Sequence, residues 1–316
     1  MLFGLARAHP QERFLYCYRP HRLLRAFRDA LPANAGRRLL AGTPPGDVFH
    51  ALNQRVDASA RRTVTTFHDL FVMTGDYSSR DFRDRFTAHA RGAAERSDLI
   101  IAVSQFTANQ VEQLLGVPAS RIRVIHHGVR LPVAQSENRE NIILFVGAIQ
   151  RRKNVARLVK AFGQMKPSPG WKLVLAGAPG GYGSAEELKA IEESPRRGEI
   201  DVLGYVSPST LEDLLQRARI FAFPSLDEGF GMPVLEAMAH GIPVITSSRS
   251  SLPEVAGDAA LLIDPEDSEA LSAALSRLTA DDELRAHLIR RGFERVRKFT
   301  WDAAVEKTWT VYGEMR

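Results

Sequence analysis

Cysteine is nearly absent: the chain of 316 residues has one, Cys17, so no internal disulfide can hold the fold, and a reducing, cytoplasmic compartment is the expectation. Long apolar runs are missing too. Runs such as Leu99–Val103 and Ile142–Val146 are strand-sized and far short of the ~20 residues that span a bilayer. At the N-terminus, Arg7 and His9 interrupt any apolar signal-peptide core. No strand-like run is followed by Gly-x-Gly-x-x-Gly, which argues against a dinucleotide-dependent dehydrogenase. There is no Asp-x-Asp pair to hold a divalent cation beside a diphosphate, so neither metal nor cofactor is expected. With no zinc-ligand spacing and no basic motif interleaved with aromatics, a nucleic-acid partner is not expected either. A hydrophobic fraction of 44% and a charged fraction of 25% describe an ordinary globular chain, without the bias that keeps a chain unfolded.

What is present is alternation. Short apolar runs that end in turn residues alternate with amphipathic stretches, the pattern of βαβ units and parallel sheets. A first series reads as strands at Phe14–Tyr18, Asp47–Leu52, Thr63–Phe67, Leu99–Val103 and Arg121–Ile125, with helices over Tyr77–Glu95 and Gln105–Leu115. The polar, aperiodic stretch Leu131–Asn141 reads as a linker. A second series follows, with strands at Ile142–Val146, Lys172–Ala176, Ile200–Gly204, Ile220–Phe223, Pro243–Thr246 and Ala260–Ile263. Its helices start near Val155, Ser184, Pro208 and Pro233, and three more run over Ser268–Thr279, Asp281–Phe299 and from Asp302 to the end. The fold class is α/β: two doubly wound, Rossmann-like domains facing a cleft, over residues 1–135 and 136–300, with 301–316 as a helix returning to the first. The formal charge of +5 is unevenly placed, since Arg19, His21, Arg22, Arg25, Arg28, Arg37 and Arg38 crowd one stretch. That stretch is either a solvated face or a patch for anionic membrane.

The segment Ile220–Thr246 carries the most chemistry. A buried strand ends at Pro224, a Gly-punctuated loop carries Glu228, and Pro233 sits in the first helical turn, where its missing N–H costs nothing. Backbone N–H groups from Met232 to Leu235 should then project from a helix start that carries about half a positive charge, which makes an anion site. The helix is apolar nearly all round apart from Glu236. A buried carboxylate without partners costs several kcal/mol, so Glu236 should either meet a protein donor or hold ligand hydroxyls. Gly229 and Gly231 would let the backbone approach a ligand closely.

EGFGMPVLE, Glu228 to Glu236, is similar to the Glu-x7-Glu motif of the retaining GT-B glycosyltransferases, in particular family 4. That resemblance implies that Glu228 holds donor-sugar hydroxyls and Glu236 the ribose hydroxyls. Gly229, Phe230 and Gly231 would lie near the sugar, with Met232, Pro233 and Val234 at the helix start. VGAIQRRKN, Val146 to Asn154, resembles the loop in which Gly147 approaches the donor and cations grip its diphosphate; Arg152 and Lys153 match. LGYVS resembles the base-binding turn around Val206, and Ser251 and Leu252 match a segment near the pyrophosphate, with Glu254 structural. In the first domain, FHDLF resembles the segment that brings His68 and Asp69 to the sugar and acceptor. Ser104 reads equally as a helix cap and as an acceptor or phosphate contact, and His127 would face the cleft, with His126 beside it in the same HHGV segment. Family members begin with a strand and a Gly-rich loop, whereas here only Gly4 is at hand. The expectation is an incomplete first domain whose open edge another segment or subunit covers.

The activity implied is metal-independent hexose transfer, with retention, from a nucleoside-diphosphate sugar to a glycan or lipid-linked acceptor. GDP-mannose stands first as donor and UDP-sugars second; the catalytic set is His68, Arg152, Lys153 and Glu228. Two alternatives stay open, a sugar-nucleotide epimerase on the same scaffold and a non-catalytic protein that binds nucleotide-sugar.

Overall fold

The computed structural model describes residues 2–19, 30–40, 42, 45–56, 58, 61–132, 138–166 and 169–315. The chain forms two compact units, one comprising Met1–Met73, Asp81–Gly128 and Phe299–Arg316, the other Thr74–Arg80 and Val129–Lys298.

In the first unit, β1 (Phe14–Tyr18) pairs in parallel with β2 (Ala35–Leu39). A separate parallel sheet has the order β3 (Phe49–Ala51), β4 (Thr63–Phe67), β5 (Leu99–Ala102), β6 (Ile122–Val124). All five residues of β4 are buried, as expected of a central strand covered on both faces. Its polar groups are therefore matched: Thr65 Oγ1 pairs with Ser97 Oγ at 2.6 Å, and the Thr63 N–H donates to Asp98 at 2.7 Å. Phe67, Leu70, Ala90, Ala93, Ile100 and Val111 form one core cluster. Val64, Ile101 and Ile125 pack with Ala304, Val311 and Met315 in another, so the helix Trp301–Gly313 belongs to this unit. Gly4 lies inside the helix Leu2–Ala8, where an added Cβ would sit 2.8 Å from Val305 Cγ2. The helix expected from Tyr77 starts at Arg80 instead, because Gly75 and the Ser78–Ser79 pair favour turn geometry over helix.

The second unit holds one six-stranded parallel sheet. Its strands are β7 (Glu140–Val146), β8 (Lys172–Ala176), β9 (Ile200–Gly204), β10 (Ala218–Phe223), β11 (Val244–Ser247) and β12 (Ala260–Ile263), in the order β12-β11-β10-β7-β8-β9. The chain winds outward from β7 through β8 to β9, then crosses back to β10 and winds the other way. The topological switch point thus lies between β7 and β10, and a crevice at the carboxyl ends of those two strands is where such sheets bind ligands. Ile143, Leu144, Phe145, Ile220, Phe221 and Phe223 are fully buried there, which fixes where the two following loops begin.

Candidate active site

The loop after β7 turns through a 3₁₀ segment, Arg151–Lys153, and Asn154 closes it in the left-handed region at φ 60°, a conformation that Asn tolerates better than most residues. The Asn154 amide donates to the carbonyls of Pro224, at 2.9 Å, and Pro265, at 2.7 Å, which ties this loop to the one after β10. Arg152 and Lys153 are each 9% exposed and Glu228 is 8% exposed. Glu228 Oε1 accepts from Lys153 Nζ at 2.5 Å and Ser225 Oγ at 2.6 Å, and Arg152 Nη1 lies 2.9 Å away. Arg152 also donates to the Asp227 carbonyl, and Lys153 Nζ stands 4.7 Å above the Phe223 ring. Burial pushes the Glu228 carboxyl upward, but Lys153 and Arg152 outweigh it and leave it below its ordinary range. These three side chains carry a formal charge of +1. The surplus favours an incoming anion, and the low local dielectric strengthens that preference.

Two serines fix the Glu228 backbone: its N–H donates to Ser250 Oγ at 3.1 Å, and its carbonyl accepts from Ser251 Oγ at 2.7 Å. Ser251, matched by resemblance to the pyrophosphate region, therefore acts directly on the carboxylate loop. Gly231 has φ 100°, a conformation that favours glycine, and a Cβ there would lie 2.6 Å from Leu252 Cδ2, which would have to shift. The buried helix Met232–Ala239 starts at Gly231 without a side-chain cap. The expectation for Val234 needs correction: its N–H already donates to the Gly231 carbonyl at 3.0 Å and is not open to a ligand. Pro233 has no N–H to offer, and Gly229 and Phe230 are buried at the loop's end. Glu236 is half-buried, and among the described residues no protein group donates a hydrogen bond to its carboxylate. Burial raises its pKa, offset only in part by His240.

Three further features support the cation loop. An added Cβ at Gly177 would lie 1.9 Å from the Gly147 carbonyl oxygen, so β7 and β8 end with their glycines in backbone contact. Gly204, at φ 66°, ends β9 and opens the turn that carries Val206. Glu187, buried on the helix Ser184–Glu192, accepts from the Ala156 N–H at 2.6 Å, which caps a helix whose own Asn154 provides no side-chain cap. Burial raises the Glu187 pKa, and the N–H groups of Ala156 and Val155 oppose that rise. Sequence reasoning missed Ser225, Ser250, Asn154 and Glu187. Only Asn154 carried a signal, as an Asn directly before a helix.

In the first unit, His68 and His127 stack at 5.3 Å between ring centroids. His68 Nε2 lies 2.8 Å from the Leu52 carbonyl, to which it donates, so Nδ1 is left to accept from His127 Nε2 at 3.3 Å. Burial, and then His68, push the His127 pKa down to about 4, which keeps the His127 ring neutral at pH 7. His126 packs on Phe299, with centroids 5.4 Å apart, and Asp69 is partly buried between His68 and the core residue Leu70. Ser104 is fully buried: it accepts from the Thr107 N–H at 3.0 Å and caps the helix Gln105–Leu115. The cap reading therefore holds for Ser104. Of the basic stretch, His21, Arg22, Arg25 and Arg28 lie outside the described residues, while Arg37 and Arg38 are exposed on β2. Among the described residues no helix is long and apolar enough to cross a membrane, and no group of three or more His, Cys, Asp or Glu could hold a metal ion.

Comparison with known proteins extends this picture. Residues 132–295 match the family described as glycosyl transferases group 1, and residues 7–131 match glycosyltransferase family 4. O-antigen chain mannosyltransferase B of Escherichia coli is 32% identical over 281 residues, covering 84% of this chain and 74% of that protein. D-inositol 3-phosphate glycosyltransferase of Nocardioides sp. is 28% identical over 70% of this chain, which spans only 55% of that relative. Among solved structures, sucrose-phosphate synthase from Thermosynechococcus elongatus aligns with a TM-score of 0.70 at 24% identity, over 85% of this chain and 73% of that one. The chain belongs to the group 1 glycosyl transferases, family 4 enzymes of GT-B fold, and is a glycosyltransferase.

Proposed function

We propose that the enzyme transfers a hexose, with retention of configuration and without a metal ion, from a nucleoside-diphosphate sugar to a glycan or lipid-linked acceptor. The observation that carries this reading is the convergence of buried Arg152 and Lys153 on Glu228, beside an uncapped helix start and a half-buried Glu236 that has no hydrogen-bond donor among the described residues. A diphosphate supplies the anion for the two cations, and ribose hydroxyls supply the donors that Glu236 lacks. In this reading the bond between the sugar C1 and the β-phosphate oxygen breaks, and charge builds on that oxygen. Arg152, Lys153 and the helix dipole stabilise it. The acceptor hydroxyl enters on the face the phosphate leaves, and its proton passes to the departing diphosphate. Glu228 then orients sugar hydroxyls near Gly147, Gly229, Phe230, Gly231 and Met232. The turn at Val206 takes the base, and His68 with Asp69 serves the acceptor side, with the Leu52 carbonyl fixing the His68 tautomer.

GDP-mannose is placed first as donor, because the relative covered over most of its length is named a mannosyltransferase; UDP-sugars come second. A glycan or lipid-linked acceptor would accord with that relative's O-antigen name and with the basic stretch, which would bring the enzyme to anionic membrane. A thermal-shift panel of GDP-, UDP- and ADP-sugars, followed by NMR of the anomeric linkage formed, tests the reading. Stabilisation by one nucleotide-sugar and a product with the donor's configuration are expected. Inverted product would end the same-face mechanism, and no stabilisation by any of them would end the donor assignment.

A further inference from the structure

One segment of the second unit comes from far away in sequence. Thr74–Arg80 lies between stretches of the first unit, yet it packs with Val129–Lys298. Thr74 and Asp76 both attach it. Thr74 Oγ1 donates to Asp227 Oδ2 at 3.4 Å, and Asp76 accepts from Arg151 Nη1 at 3.2 Å and from the Tyr182 hydroxyl at 3.4 Å. Asp227 directly precedes Glu228, and Arg151 directly precedes Arg152 and Lys153. The segment thus bridges the two loops whose side chains form the cation and carboxylate cluster. Between the attachments the chain is compact, since an added Cβ at Gly75 would lie 2.1 Å from the Tyr77 ring. Burial is the main cause that raises the Tyr77 pKa, with Asp227 adding to it and Arg152 opposing, in keeping with its place over these loops.

We infer that Thr74–Arg80 is a clamp: through Asp76 and Thr74 it holds the Arg151–Lys153 turn against the Asp227–Glu228 loop, and so sets donor affinity. Asp76 and Thr74 are then positioning residues, not groups that touch the donor. The inference rests on the diphosphate reading of Arg152 and Lys153. Its size is bounded by exposure, because the Asp76 and Arg151 side chains are 63% and 55% exposed, and such pairs contribute little individually.

GDP and UDP titrated calorimetrically against the full chain, with transfer kinetics alongside, test it. Asp76→Asn should weaken binding of whichever nucleotide the parent binds by roughly two- to five-fold, and Thr74→Val with Asp76→Asn by more. KM should rise while kcat stays within about twofold, Asp76→Glu should restore affinity, and the deficit should shrink in ~1 M salt, where exposed pairs are screened. Independently of any ligand, hydrogen exchange at the Arg151 and Leu226 amides, which donate to Tyr182 O and Arg152 O, should quicken in Asp76→Asn. Unchanged exchange and unchanged affinity in a parent that binds nucleotide would overturn the clamp alone. A parent that binds neither nucleotide would overturn the diphosphate reading and, with it, the role in affinity.

Discussion

Lys153→Ala separates two roles that the cluster combines. In the resting site Lys153 lies 2.5 Å from Glu228, whose carboxylate would keep Arg152 at 2.9 Å and the Ser225 hydroxyl at 2.6 Å after the substitution. Because Arg152 remains, the stability loss should be that of one hydrogen bond to a buried charge, about 1.5–3 kcal/mol, and not the larger penalty of an isolated buried ion. For a unit of this size that lowers the melting temperature by roughly 4–10 °C. The catalytic loss is expected to be larger, about 10²- to 10³-fold in turnover, as for other donors aimed at developing charge. Combining Lys153→Ala with Glu228→Gln leaves Arg152 buried without its carboxylate, so melting should fall further while turnover stays low. The assay is nucleoside-diphosphate release at saturating donor, with calorimetric melting of the same preparations. Turnover within threefold of the parent in Lys153→Ala would remove the diphosphate role, whatever the melting data show.

Glu236→Gln should lower nucleotide affinity about tenfold, since a neutral amide replaces a charged acceptor. It should also stabilise the unliganded protein slightly at pH 7, because burial raises the carboxyl pKa and folding then opposes its ionisation; equal affinities by titration calorimetry would refute the ribose assignment. Gly177→Ala must displace the Gly147 carbonyl and should cut nucleotide binding more than tenfold at a cost of about 1–3 kcal/mol. Gly198→Ala, whose Cβ meets nothing within 4 Å, serves as the neutral control. In the first unit, burial, and then His68, push the His50 pKa down to about 4. The unfolded state therefore binds more protons as pH falls from 6.5 to about 4, and His50 alone should lower stability by on the order of 3 kcal/mol across that window, with His127 adding a similar amount. His50→Gln should remove roughly half of the slope in acid melting, with His127 supplying the rest, and an unchanged slope would contradict the assignment.

Strands whose apolar residues run without a break were legible in the sequence: Thr63–Phe67, Lys172–Ala176 and Ala260–Ile263 form over the residues expected. For the first two this follows from burial on both faces, which demands an apolar or β-branched run, whereas Ala260–Ile263 is an edge strand with Leu262 exposed. Ala35–Leu39 was not legible. It contains Gly36, Arg37 and Arg38, so no pattern marks it, and only its pairing with Phe14–Tyr18 makes it a strand. The helix start at Met232 could be read from Pro233, and Glu228 with Glu236 from the motif. That Lys153 closes onto Glu228 across 75 positions, with Arg152 beside it, could not, because tertiary pairing of charges leaves no local trace. The same holds for Ser225, Ser250 and the Thr74–Arg80 clamp. The Ser104 hydroxyl and the Val234 N–H are both engaged by local capping and turn bonds.

The central claim is most directly tested by the structure of the enzyme crystallised with the nucleoside diphosphate it binds. Phosphate oxygens within hydrogen-bonding distance of Arg152 and Lys153, with ribose hydroxyls on Glu236, are the predicted result. Nucleotide density elsewhere on the second unit, with Arg152 and Lys153 still closed on Glu228, would contradict it.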